Sequence, residues 1–139
     1  MKRVFVETTE PGSLRHSLEI SGYEPVFSDL DTAAGGSNSA PDPHDYFGMA
    51  LGACKAQTVM LYARRKGMAL DKVRVLVLPD GSQEREGRYH LNVVLELEGD
   101  LSEEEQARLL AISQRCPIEK LMTKVEVSID TSLGQVGED

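Results

Sequence analysis

Hydrophobic and polar positions alternate most regularly in the second half of the chain. Tyr89, Leu91, Val93, Leu95 and Leu97 occupy every second position, and Val73, Val75 and Val77 alternate with Arg74, Leu76 and Leu78. A period of two puts one face of a strand against a core. Pro79-Asp80-Gly81-Ser82 starts a turn between the two runs, so they predict a β-hairpin. Val125, Val127 and Ile129 alternate with Glu126, Ser128 and Asp130 and predict a last strand. Near the N-terminus the runs are shorter: Val4 and Val6 around Phe5, then Leu18 and Ile20, then Tyr23, Pro25 and Phe27, separated by Gly12 and Gly22. They predict three short strands, with Pro25 pointing to a sheet edge. Residues 31–42 are loop by composition.

The period changes between these regions. Asp42 can cap a helix, Pro43 suits its first position, Asp45 lies in an acidic first turn, and Gly67 is a natural stop. A helix over residues 43–66 would be about 36 Å long. It carries small or apolar residues nearly all round, Tyr46, Phe47, Met49, Leu51, Val59 and Leu61 among them. A helix apolar on every side is a buried one, and burying it in so short a chain calls for a partner subunit. Gly48, Gly52 and Ala56 form a row on which another backbone could come close. Ser102 and Glu105 form a capping box for a second helix reaching about Arg115, and residues 118–121 again look helical. The predicted order is βββ-α-ββ-α-β, an α+β fold in one domain over residues 1–139, with a frayed acidic tail over 134–139.

Charge narrows the function classes. The chain has 139 residues and a net charge of −8, which disfavours nucleic acid as a partner. Its tight basic cluster, Arg64-Arg65-Lys66, falls at the predicted helix C-terminus, where cations suit the helix dipole. Apolar runs are too short for a membrane span, and Met1–Glu7 does not read as a signal peptide, so a cytoplasmic protein without a membrane partner is expected. The three histidines and two cysteines are scattered without ligand spacing, so neither a metal nor another cofactor is expected.

Two cysteines in a reducing compartment are either inert packing residues or a redox pair. Cys54 lies mid-helix, out of reach of the helix N-terminus, so a reactive thiolate there needs a nearby cation. Lys55 follows it but points about 100° away along the helix, which makes Arg15 a candidate. Cys116 precedes Pro117 and so sits near a helix N-cap, where backbone N–H groups favour a thiolate. Two thiols can reduce a peroxide without a cofactor. One becomes a sulfenic acid, the other condenses with it to a disulfide, and an external dithiol resets the pair.

The segment from Pro43 through Ala50-Leu51-Gly52-Ala53-Cys54 to Tyr62-Ala63-Arg64-Arg65-Lys66-Gly67 resembles the central helix of the OsmC/Ohr family, in the form of its uncharacterised branch. Cys116-Pro117-Ile118-Glu119-Lys120 resembles that family's second cysteine motif. The resemblance implies an intertwined homodimer with the central helices clasped between sheets. It also implies thiol-dependent reduction of organic hydroperoxides, with Cys54 peroxidatic and Cys116 resolving. Peroxidase branches of the family carry Glu ten residues before the first cysteine; His44 stands there in this chain, with Asp45 next. They also hold the thiolate with an arginine from the N-terminal strands, for which Arg15 is the nearest candidate. From the residues alone, His44 reads first as a polar first-turn residue and Asp45 as a helix-dipole partner. An alternative is a non-enzymatic dimer that binds an apolar small molecule, its cysteines packing or sensing oxidation.

Overall fold

The computed structural model describes residues 2–137. It is a mixed α+β fold with two small sheets and three helices. Its strands are β1 (Val4–Thr8), β2 (His16–Ile20), β3 (Val26–Ser28), β4 (Leu70–Asp80) and β5 (His90–Gly99), and its helices are α1 (Pro43–Lys66), α2 (Glu103–Ser113) and α3 (Pro117–Thr123). Contacts divide the chain into two compact units. One comprises the residues up to Ala53 with Val75–Val94; the other comprises Cys54–Arg74 with the residues from Leu95 on. Helix α1 and the β4–β5 ribbon run through both.

In the first unit β1, β2 and β3 form a sheet in that order, all antiparallel, with Val4 opposite Ile20 and His16 opposite Ser28. The short strand β3 is an edge, and Pro25, which has no N–H to give a neighbour, stands just before it. The loop after β3 is built around Asp29, which is 2% exposed. Its carboxylate accepts from the N–H groups of Leu30, Ser37 and Ser39 and from the Ser39 hydroxyl at 2.6–3.2 Å. These bonds hold the carboxyl pKa down at about 2, the Ser39 hydroxyl contributing most.

Helix α1 starts and stops where its sequence signals stand. Asp42 and Asp45 exchange side-chain-to-N–H bonds of 2.9 Å each, a reciprocal cap. At the other end Gly67 takes φ +68°, and the Met68 N–H reaches back to the Ala63 carbonyl at 2.9 Å. That closure needs a left-handed residue, which glycine adopts without strain. A Cβ on Gly52 would stand 3.2 Å from a Val77 methyl, so the small-residue row lets β4 approach the helix in the first unit.

Strands β4 and β5 pair as a two-stranded ribbon. The nine residues between Asp80 and His90 are too few for a parallel crossover, so the ribbon is antiparallel. Val73, Val75 and Val77 on β4 and Leu91, Val93, Leu95 and Leu97 on β5 are half-buried, and their alternate neighbours are exposed. The second unit buries Val59, Ala63 and Leu109 completely or nearly so, with Met68, Leu70, Val73, Leu95 and Leu97 packed around them. Helix α2 carries the expected Ser102–Glu105 capping box. It ends at Ser113, short of Arg115: Gln114, Arg115 and Cys116 connect it to α3, which Pro117 starts.

The alternation over residues 125–130 does not produce a strand among the described residues. The segment has no regular structure beyond a bend at Val125, and its apolar positions stay open, Val127 at 60% and Ile129 at 82% exposure. Alternation records which face prefers burial, but a strand also needs a hydrogen-bonding edge to pair with. Of the tail read as frayed, residues 134–137 have no regular structure; 138 and 139 lie outside the described residues. Among the described residues no helix is long and apolar enough to cross a membrane.

Candidate active site

The two cysteines meet in the second unit. Cys54 lies on α1 and is half-buried; Cys116 is the N-cap of α3 and is fully buried; both are free thiols. Cys116 has extended backbone angles of −67° and 143°, and its Sγ accepts the Glu119 N–H at 3.4 Å. A cysteine thus does what Ser or Asp usually does at this position, and Pro117 presets the first turn. Burial pushes the Cys116 thiol above its ordinary pKa. The Glu119 N–H opposes that rise, the hydrogen-bonded Cys54 thiol adds to it, and the charge of Lys55 opposes it. Cys116 thus faces Cys54 from a fully buried position that disfavours its charged form.

Lys55 completes this cluster. Leu51, Lys55, Val59 and Ala63 follow one another at four-residue steps and are all buried. The 100° turn that takes Lys55 away from Cys54 carries it onto the buried stripe of the helix. Its ammonium donates to the Ser113 carbonyl at 2.9 Å and to Glu119 Oε1 at 2.7 Å. The Ser113 carbonyl is one of those left without a helical partner at the end of α2. Sequence reasoning missed Lys55, Ser113 and Glu119. The available signal was a lysine at an apolar position of a four-residue row; its partners, 58 and 64 residues away, could not be read from spacing.

Arg15, His44 and Asp45 belong to the first unit, and each has partners there. Arg15 Nη1 donates to Ser39 Oγ at 2.7 Å, and its guanidinium lies 4.2 Å from the centre of the Phe27 ring. His44 Nε2 is 2.7 Å from Glu84 Oε1 on an exposed surface. That bond raises the imidazole pKa, and Asp42 and Asp45 add smaller contributions after a small opposing effect of burial. Asp45 is engaged in the reciprocal cap with Asp42. Among the described residues no group of three or more His, Cys, Asp or Glu could hold a metal ion.

A family model described as OsmC-like protein matches residues 36–132, which include α1, both cysteines and the capping box of α2. The chain belongs to the OsmC-like family. Solved structures agree with the fold of this OsmC-like chain. A putative osmotic stress induced and detoxification response protein from Psychrobacter arcticus is 17% identical, with a TM-score of 0.73 over 89% of this chain and 90% of that one. An OsmC-like protein from Mycoplasma pneumoniae is 18% identical, with a TM-score of 0.71 over 90% and 89%. The organic hydroperoxide resistance protein OhrB of Bacillus subtilis is also 18% identical, with a TM-score of 0.57 over 89% and 91%. No curated protein matches the sequence.

Proposed function

We propose that this OsmC-like protein is a thiol-dependent reductase of organic hydroperoxides, acting in oxidative-stress defence in the cytoplasm. The observation that carries the proposal is the asymmetry of the thiol pair: Cys54 is partly open, and its neighbour Cys116 is fully buried. The Cys54 thiolate attacks one oxygen of the hydroperoxide. An S–O bond forms, the O–O bond breaks, and the alkoxide leaves and is protonated to the alcohol. Cys116 then attacks the sulfenic acid; an S–S bond forms, the S–O bond breaks, and the Cys116 proton leaves with the hydroxyl as water. An external dithiol reduces the disulfide. The naming of the Bacillus subtilis relative as an organic hydroperoxide resistance protein supports this choice of substrate.

Supporting roles for Arg15, His44 and Asp45 are what the family resemblance implies; their partners in the first unit are Ser39, Glu84 and Asp42. The protein acts as a homodimer with one domain per chain. Phe47 and Met49 in the first unit are 41% and 48% exposed, and Leu61, Val125, Val127 and Ile129 in the second are 48–82% exposed, so each unit has apolar surface that a second copy would cover. The test is consumption of cumene hydroperoxide with dithiothreitol, using the wild type, Cys54→Ser and Cys116→Ser. Turnover that disappears in Cys54→Ser supports the proposal; turnover retained in that variant overturns it.

The open α1 side chains also favour a second reading, a non-enzymatic dimer that holds an apolar small molecule. It predicts an organic ligand retained through purification and no hydroperoxide consumption, with both thiols reduced and titratable.

A further inference from the structure

Lys55 has no part in the chemistry above, yet it is 4% exposed in the middle of an apolar helix row. Burying an ammonium carries a desolvation penalty that its partners must offset, and leucine or alanine would fill the row without it. The ammonium has three N–H donors; two go to the Ser113 carbonyl and Glu119 Oε1. Its charge also acts on Cys116. Glu119 binds at both ends of the arrangement: its carboxylate holds Lys55, and its backbone N–H holds Cys116 Sγ. The groups that face Cys116 are thus Cys54 and Lys55 from α1 and Glu119 from α3, with Ser113 of α2 anchoring Lys55. Arg115 and Lys120 flank the motif in sequence but are exposed.

We propose that Lys55 is a positioning residue for the resolving step: anchored by Glu119 and the Ser113 carbonyl, its ammonium compensates the negative charge that Cys116 gathers as it attacks an oxidised Cys54. The proposal rests on the reductase activity proposed above. The attacking species in thiol exchange is the thiolate, and a thiolate formed at a fully buried sulfur needs a counter-charge. Before attack, Lys55 and Glu119 neutralise each other. As Cys116 loses its proton, one cation is shared between two anions. Removing the lysine and neutralising the glutamate must therefore act on Cys116 in opposite directions, which a purely structural ion pair would not do.

The test begins in Cys54→Ser protein, where ultraviolet thiolate absorbance reads the ionisation of Cys116 without any peroxide. Adding Lys55→Met raises the midpoint by about one pH unit, the low end of the shift an opposite charge produces, and adding Glu119→Gln lowers it. With Cys54 restored, one equivalent of cumene hydroperoxide leaves a dimedone-trappable sulfenic acid that persists about tenfold longer at neutral pH in Lys55→Met than in wild type, the rate equivalent of one pH unit. Midpoints that stay put, or that move the same way in both variants, overturn the proposal. If Lys55→Met does not fold, Glu119→Gln decides alone: a lowered midpoint supports the proposal, and an unchanged or raised one overturns it. If the midpoints move in opposite directions but wild type consumes no hydroperoxide, the reductase activity fails while the pairing of Lys55 with Cys116 stands.

Discussion

Each unit of the chain buries one charged side chain deeply, and the two are satisfied differently. Asp29 in the first unit takes its four hydrogen bonds from Leu30, Ser37 and Ser39, all within ten residues of it. The bonds to the carboxylate are local and shape one loop, which Arg15 joins through Ser39. Lys55 in the second unit is held from α2 and α3, and one of those holders also touches a thiol. A charge saturated by its own loop braces the backbone. A charge shared among three helices beside a nucleophile can respond when that nucleophile changes its ionisation.

The largest effect that could break this contrast is chemical. Cys54→Ser is expected to bring hydroperoxide consumption down to the uncatalysed rate. Cys116→Ser should consume one equivalent and stop, with a sulfenic acid visible to dimedone and mass spectrometry. If Cys116→Ser instead turns over like wild type with dithiothreitol, the reductant resolves Cys54 directly, and the buried cluster around Lys55 has no step to serve.

The next effect is on packing. Leu109 is fully buried at the centre of the second unit's core. Leu109→Ala should cost about 2–5 kcal/mol, as deletions of buried leucine do. Urea unfolding measures that cost, and hydrogen exchange shows where it is felt. Loss of protection across both units would support one cooperative domain; loss confined to α2 and its neighbours would mean that the thiol cluster can open while the N-terminal sheet stays folded.

These contrasts also mark what could be read from sequence. The limits of α1 were legible because Asp42-Pro43 and Lys66-Gly67 are local signals: a cap, a preset φ and a left-handed stop. The β4–β5 ribbon and the Ser102–Glu105 box were legible for the same reason. The juxtaposition of Cys54 and Cys116 was not, since 62 residues of sequence carry no distance; the family resemblance supplied it as an expectation. The angle between Lys55 and Cys54 follows from helix geometry, but the burial of Lys55 follows from the row it shares with Leu51, Val59 and Ala63. Segment 125–130 shows the complementary limit: Val125, Val127 and Ile129 declare a face, but pairing depends on an edge their own sequence does not specify.

Asp29→Asn should lower stability measurably, by about 5 °C or more in Tm, the scale of losing charge-assisted hydrogen bonds. The pH dependence has a definite sign. The folded carboxyl sits at about 2, below its ordinary 3.8, so its contribution is fully present above 3.8 and is lost as pH falls toward 2. The Tm gap between wild type and Asp29→Asn should therefore narrow on acidification. A gap that stays constant would mean that the loop is held by shape, and the contrast with Lys55 would rest on geometry alone.

The smallest effect expected is at His44. Its imidazole stands in the first turn of α1, where the helix dipole disfavours a cation, yet Glu84, Asp42 and Asp45 together raise its pKa. A raised folded pKa means that the stabilisation is complete below the ordinary value of 6.5 and disappears as pH rises through the raised one. His44 and Glu84 are both more than half exposed, and exposed pairs contribute little. Glu84→Gln should thus lower Tm by no more than about 2 °C in mildly acidic buffer and by nothing measurable in alkaline buffer. The same substitution sharpens the functional question, because it releases His44 from the partner it holds. Faster hydroperoxide consumption in Glu84→Gln, with Cys116 ionisation unchanged, would bring His44 into the chemistry at Cys54. An unchanged rate would leave His44 as a surface residue in the first turn of α1, and the thiol cluster of the second unit would then carry the reaction without it.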